Sequence, residues 1–231
     1  MSGKLFRVRR LIGASLVAVS AMISAGAAQA SLVFSLDTVF NGSSPSSPAP
    51  WLTATFQTVA TGHVTLSLQA SFSVASEFIS DFEFNVDPSI VPSSLVIAQV
   101  PALNPLATIT QGAQNGQNVQ GSGVAGQGFD VRLDWGTANN AGRFDGSDLV
   151  VLDITGAGIT ESSFNFASTG SAAANIGAHL QGYPNGGSGA AKNGLPGSQG
   201  GPVPVSEPGS ILLLGSCLLA FGLRARRSAK Q

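Results

Sequence analysis

The chain is poor in the residue types from which most catalytic and metal sites are built. Of 231 residues one is cysteine and two are histidine. Cys217 sits in an apolar run near the C-terminus, where a small packing residue is its expected role, so the body of the chain forms no internal disulfide and must hold by burial alone. Charged residues make up 10% of the sequence, and basic ones nearly vanish from the middle. Between Ser31 and Pro204 only Arg132, Arg143 and Lys192 stand against eleven acidic residues, a net of −8. An acidic body repels phosphate backbones, which argues against nucleic-acid binding; solubility is the plain consequence of the charge. Helical periodicity is also missing from the body, and only the two terminal segments have a helical look.

These shortages limit the chemistry. His63 and His179 lie near no Asp or Ser motif in sequence, no Gly-x-Ser-x-Gly elbow is present, and no His-x-x-x-His pair offers a zinc site. Glycoside hydrolysis needs two carboxyls across a cleft. Asp81 and Glu83 share one strand face, as do Asp130 and Asp134, but acids alternating with apolar residues are the pattern of a solvated strand face. In "NNAGRFDGSD", Asn139 to Asp148, the oxygens of Asp145, Ser147 and Asp148 suit a hard cation. The stretch lacks EF-hand spacing, and Asp-Gly forms turns, so a plain turn is expected. Trp51, Trp135 and Tyr183 are too dispersed in sequence for a sugar-stacking platform, and Trp135 reads as core. No catalytic residue, cofactor or metal ligand is assigned.

What the chain does have is period-2 alternation. In "VTLSLQASFSV", Val64, Leu66, Leu68, Ala70, Phe72 and Val74 alternate with polar residues, and in "SDFEFNVD" Phe82, Phe84 and Val86 alternate with Asp81, Glu83 and Asn85. The phase break at Ala75 to Glu77 suggests that these two runs pair through a turn. Further strands are expected at 31–40, 53–60, 95–100, 118–124, 129–135, 149–155 and 163–167, separated by turn signals such as "DPSIVPSS" and "NGQN". "LVVLDIT" is apolar on both faces for four residues and is expected to sit centrally. Many short strands without helices predict an all-β fold, an antiparallel β-sandwich or jelly-roll-like domain over 31–181. From Gly182 to Pro204, 8 of 23 residues are glycine, which predicts a Gly/Pro-rich linker over 182–204, spanning about 25 Å as a coil.

The ends carry addresses. Lys4 to Arg10 are basic, an apolar run follows from Leu11, and Ala28-Gln29-Ala30 matches a small-x-small cleavage site, so 1–30 is read as a signal peptide and Ser31 as the mature start. With serine there, lipid attachment at a new N-terminal cysteine is excluded. At the other end, Ser210 to Leu223 would form a helix about 21 Å long, a short transmembrane span. Arg224, Arg226 and Arg227 would stay on the cytoplasmic side.

Glu207-Pro208-Gly209-Ser210, a leucine-rich span and a terminal Arg cluster together resemble the bacterial PEP-CTERM sorting signal, here over 205–231. The resemblance implies a substrate of exosortase, a membrane-embedded cysteine protease that removes such tails from proteins of Gram-negative bacteria that make extracellular polysaccharide. Glu207 and Pro208 would be recognised and Arg224 to Arg227 would act as the stop. Ser206 stands where the usual motif has its first proline. The stretch from Phe129 to Gly189 is also similar to uncharacterised exported β domains found ahead of such tails, which bring no catalytic residues.

The expected protein is therefore exported through the translocon, held in the membrane by its C-terminal helix before processing, and then released to the cell surface or extracellular matrix. A non-enzymatic structural role with exopolysaccharide is the first expectation. A polysaccharide-binding module, with calcium as a structural ion, is the alternative, and a glycoside hydrolase comes last.

Overall fold

In a computed structural model, residues 30–100, 105–112, 128–138, 142–146, 148–170 and 173–193 are described. All of them belong to one compact unit, Gln29–Val203. They form β1 (Ser31–Gly42), β2 (Leu52–Ala60), β3 (His63–Ala70), β4 (Phe78–Phe84), β5 (Val96–Gln99), β6 (Thr108–Gln111), β7 (Val131–Asp134), β8 (Phe144–Asp145), β9 (Leu149–Thr155), β10 (Ile176–Gln181) and β11 (Gly189–Asn193). Two 3-10 turns, Pro92–Ser94 and Glu161–Phe164, accompany them. The all-β, antiparallel reading holds.

The strands form one continuous sheet in the order β5-β9-β3-β2-β1-β11-β10-β4-β7-β6, with β8 added to β4. A sandwich or jelly roll of two separate sheets was the expectation; here a single sheet curls nearly into a barrel. Strands β2 and β4 are four steps apart, about 19 Å if the sheet were flat. Yet the rings of Phe56 on β2 and Phe84 on β4 lie 5.5 Å apart, so the two halves of the sheet face each other. The open edges also approach: the Gln111 amide on β6 donates to the carbonyls of Pro92 (2.7 Å) and Leu95 (2.9 Å), just ahead of β5.

The core fills the inside of this curl. Leu32, Phe34 and Leu36 on β1, Ala54 and Phe56 on β2, Leu66 and Leu68 on β3, Phe82 and Phe84 on β4 and Val150, Leu152 and Ile154 on β9 are all buried. Phe56 is the hub. It stacks on Phe164 at 4.6 Å and meets Phe34 edge-on at 6.3 Å, contacts that each add about 0.5–1.5 kcal/mol to plain burial.

Several sequence expectations change. The runs containing β3 and β4 do not pair; β3 lies between β2 and β9, and β4 between β10 and β7. The expected strand 163–167 begins instead with the 3-10 turn, because the Ser163 hydroxyl accepts the Thr160 N–H at 3.2 Å and the turn drops Phe164 onto Phe56. β9 alternates between buried and half-exposed positions and lies one strand from the edge. The expected strand 118–124 falls outside the described residues.

The largest change is at the linker. Residues 189–193 form β11, fully buried between β1 and β10, so the folded body runs to Asn193 and not to residue 181. Its glycines are there for close approach. A Cβ at Gly189 would meet the Ser43 carbonyl at 2.1 Å, and at Gly182, where φ is +77°, it would meet the Ser76 carbonyl at 1.8 Å. The rest of the linker, 194–204, lies outside the described residues, as do residues 1–29 and the expected span 210–223. No helix among the described residues is long and apolar enough to cross a membrane.

Candidate functional site

The polar face of β10, β4 and β7 holds the densest group of ionisable side chains. Register places Gly177, Glu83, Arg132 and Thr110 in one cross-strand row, extended by Lys192 on β11. The next row contains His179, Asp81, Asp134 and Thr108. The opposite face of the same strands carries Ala178, Phe82, Leu133 and Ile109, which pack into the core. Alternation is thus the reason that these acids share a face.

That face is not solvated, contrary to the sequence expectation for Asp81 and Glu83. Glu83 is 0% exposed and Asp81 1%. Asp130, read with Asp134 as part of another wet face, is also buried, and its Oδ2 accepts the Val86 N–H at 3.0 Å. Arg132 forms an ion pair with Asp134 on its own strand. Asp134 is held above the usual carboxylate range by partial burial, with Arg132 acting in the other direction. Glu83 is pushed well up, first by burial and then by the Asp81 charge.

His179 is half-buried in the interior of β10. Its Nδ1 lies 3.1 Å from the Ser80 hydroxyl, 3.1 Å from the Gln181 amide nitrogen and 3.8 Å from Asp81 Oδ2. Ser80 Oγ donates to Asp81 Oδ2 at 3.0 Å and accepts from the Gln181 amide at 3.1 Å. With that amide also donating to Nδ1, the ring proton sits on Nε2. Burial lowers the imidazole's pKa, with Asp81 pulling it up.

Ser80, His179 and Asp81 therefore meet, but not as a catalytic triad. Serine and aspartate converge on the same ring nitrogen, and the serine hydroxyl is directed to the carboxylate; a relay needs them on opposite nitrogens. The trio holds β4 to β10.

Other candidates resolve into packing. His63 opens β3 and pairs with Asp153 at 3.1 Å on a half-exposed face. Asp145 and Asp148 form the expected turn, with the Asp145 N–H donating to Asp148 Oδ2 at 3.1 Å. Among the described residues no group of three or more His, Cys, Asp or Glu side chains could hold a metal ion. Trp51, Trp135 and Tyr183 are all buried; Trp135 lies 4.7 Å from Phe144, as its core reading required.

One buried carboxylate went unnoticed in the sequence. Glu77 accepts the N–H groups of Ser46 (2.6 Å) and Ser47 (3.0 Å), while Ser47 Oγ accepts those of Ser73 and Val74. This knot ties the 43–50 loop to the segment before β4. Glu77 had marked only a phase break in the alternation, and nothing in its spacing announces the knot. Burial, and then the Glu77 charge, push the neighbouring Tyr183 phenol upward.

Of the address residues, Ala30 and Ser31 are described. Ladder bonding starts there: the Ala30 carbonyl accepts the Thr58 N–H at 3.2 Å and β1 begins at Ser31. Ala28, Glu207, Pro208, Gly209, Arg224, Arg226 and Arg227 lie outside the described residues.

The fold and its tail define an exported β-domain protein that is sorted through a C-terminal signal. That signal is a PEP-CTERM protein-sorting motif, matched at residues 204–227. The motif marks exosortase as the processing partner and implies export with membrane anchoring before processing. No curated protein and no solved structure matches the chain.

Proposed function

We propose that the chain is a non-enzymatic structural protein of the cell surface or extracellular matrix, associated with exopolysaccharide after exosortase removes its tail. The observation that carries this is the sorting motif at 204–227, which follows in sequence the strand Gly189–Asn193. Three features support it. The first strand starts at the expected mature residue Ser31, the densest group of ionisable side chains is turned into the structure, and Ser80, His179 and Asp81 lack relay geometry. The test is co-sedimentation of the exported protein with the producing host's own polysaccharide. Retention in the pellet, and release when the polysaccharide is enzymatically degraded, are expected; free distribution into the medium in both states would reject the association.

A polysaccharide-binding module is the second reading, favoured by the outer face of β1, β2, β3 and β9. There Val33, Thr55, Ser67 and Val151 form one row, and Ser31, Gln57, Thr65 and Asp153 another. This is a sheet of hydroxyl and amide groups with little charge, suited to neutral sugars. Under this reading Thr55→Ala with Ser67→Ala weakens saturable binding to purified polysaccharide and leaves the melting temperature unchanged. Equal binding by both proteins would remove the face from consideration. Calcium gains no support from the Asp145–Asp148 turn, whose carboxylate is already bonded to its own backbone.

A further inference from the structure

We infer that Glu83 carries a proton which it shares with Asp81, and that this proton fastens the polar face of the sheet, so that the domain loosens when rising pH removes it. The geometry leaves Glu83 few alternatives. It is wholly buried, and among the described residues no N–H or O–H group donates to either of its carboxyl oxygens. The one side chain within hydrogen-bonding reach is the Asp81 carboxyl, itself an acceptor. A hydrogen bond between two carboxyls exists only while one of them holds a proton. Two like charges so close in a buried setting cannot both be kept at ordinary cost.

The charged neighbours do not rescue an ionised Glu83. On β7, Arg132 stands directly opposite but is paired with Asp134, and a second carboxylate there adds repulsion. On β10, His179 sits in the Asp81 row and is neutral when its Nδ1 accepts from Gln181. On β11, Lys192 shares the Glu83 row but lies beyond Gly177, two strands away, about 10 Å along the row. Asp130 spends its Oδ2 on the Val86 N–H. β6, on the far side of β7, brings only Thr108 and Thr110 to these rows. One guanidinium thus stands against three carboxyls, those of Asp81, Glu83 and Asp134.

The sign of the pH effect follows. The folded chain holds the Glu83 proton at pH values where an unfolded glutamate, with its ordinary pKa of about 4.3, has lost it. Stability from this group is complete below that value and is lost as pH rises through the folded pKa. His179 acts in the opposite direction and only below about pH 6.5, and Tyr183 adds its own loss near the alkaline end, so a comparison with a variant that lacks only the Glu83 proton isolates Glu83.

The experiment compares the full chain with Glu83→Gln, whose amide keeps the shape and donates to Asp81 as the protonated acid does. Denaturant unfolding is followed from about pH 5 to pH 9.5. In the parent chain the unfolding constant should rise up to about tenfold per pH unit over part of this range, the slope of one linked proton. In the variant that slope should be absent. Equal slopes in the two proteins throughout this range would overturn the inference. Should the variant fail to fold, carboxyl-carbon NMR of the parent labelled in glutamate decides alone. One glutamic acid signal that ionises well above the ordinary glutamate range is expected, and ionisation of every glutamate near the ordinary value of about 4.3 would overturn the assignment.

Discussion

Phe56 and Gly182 show how single residues hold this domain for different reasons. Phe56 is touched by Phe34, Phe84 and Phe164, so Phe56→Ala removes a hub and should cost about 3–5 kcal/mol in a denaturant titration. A loss below about 1 kcal/mol would mean that the core collapses into the gap. Gly182→Ala is predicted to be severe, since it combines a left-handed backbone with a Cβ placed on the Ser76 carbonyl. Gly146→Ala is the control: φ is +55° and nothing lies within 4 Å of its Cβ, so the penalty should be confined to about 1–2 kcal/mol of backbone strain. Similar melting temperatures for the two variants would contradict the close packing at Gly182. His179 gives an acid-side prediction. Its lowered folded pKa means that the unfolded chain binds a proton first, so its contribution is lost as pH falls below about 6.5. His179→Gln should remove this acid-side loss, so that the variant's stability relative to the parent rises as pH falls from about 6.5 to 5.

At the scale of elements, legibility followed side-chain size. β2 and β3 were readable because apolar residues alternate with polar ones, as in Val64, Leu66 and Leu68, and β1 and β9 because they are short runs rich in large apolar residues. β10 and β11 were not, because "IGAHLQ" and "GAAKN" use Gly and Ala where backbones must pass closely, and small residues carry little hydrophobic signal. The four-residue β6 is too short to show a period. For the polar face, the pattern correctly put Asp81 and Glu83 on one side of β4. Their burial was invisible, because alternation says which face a residue occupies and not what covers that face. β11 also supplies a prediction at this scale. Among the described residues it is the strand that joins β1 to β10, so a chain ending at Gln181 should fail to unfold cooperatively, whereas one ending at Asn193 should unfold in a single transition followed by circular dichroism. A cooperative transition in the shorter chain would show that the two half-sheets meet well enough without it.

For the whole molecule, position in the chain matters more than any reactive group. A body that is acidic between Ser31 and Pro204, free of cysteine and closed by its last strand is followed at residue 204 by the sorting motif. Because β11 is central and the last strand among the described residues, the sheet needs the residues through Asn193 to have left the export channel. Folding of the body and presentation of the tail are therefore close in time. The central claim is that this chain is a sorted, trimmed extracellular product. Its most direct test is the intact mass of the protein recovered from outside the cell, in hosts with and without exosortase. The account predicts loss of residues 1–30, together with loss of the segment beyond about Glu207 only where the enzyme is present. A full C-terminus retained in the membrane of both hosts would contradict it.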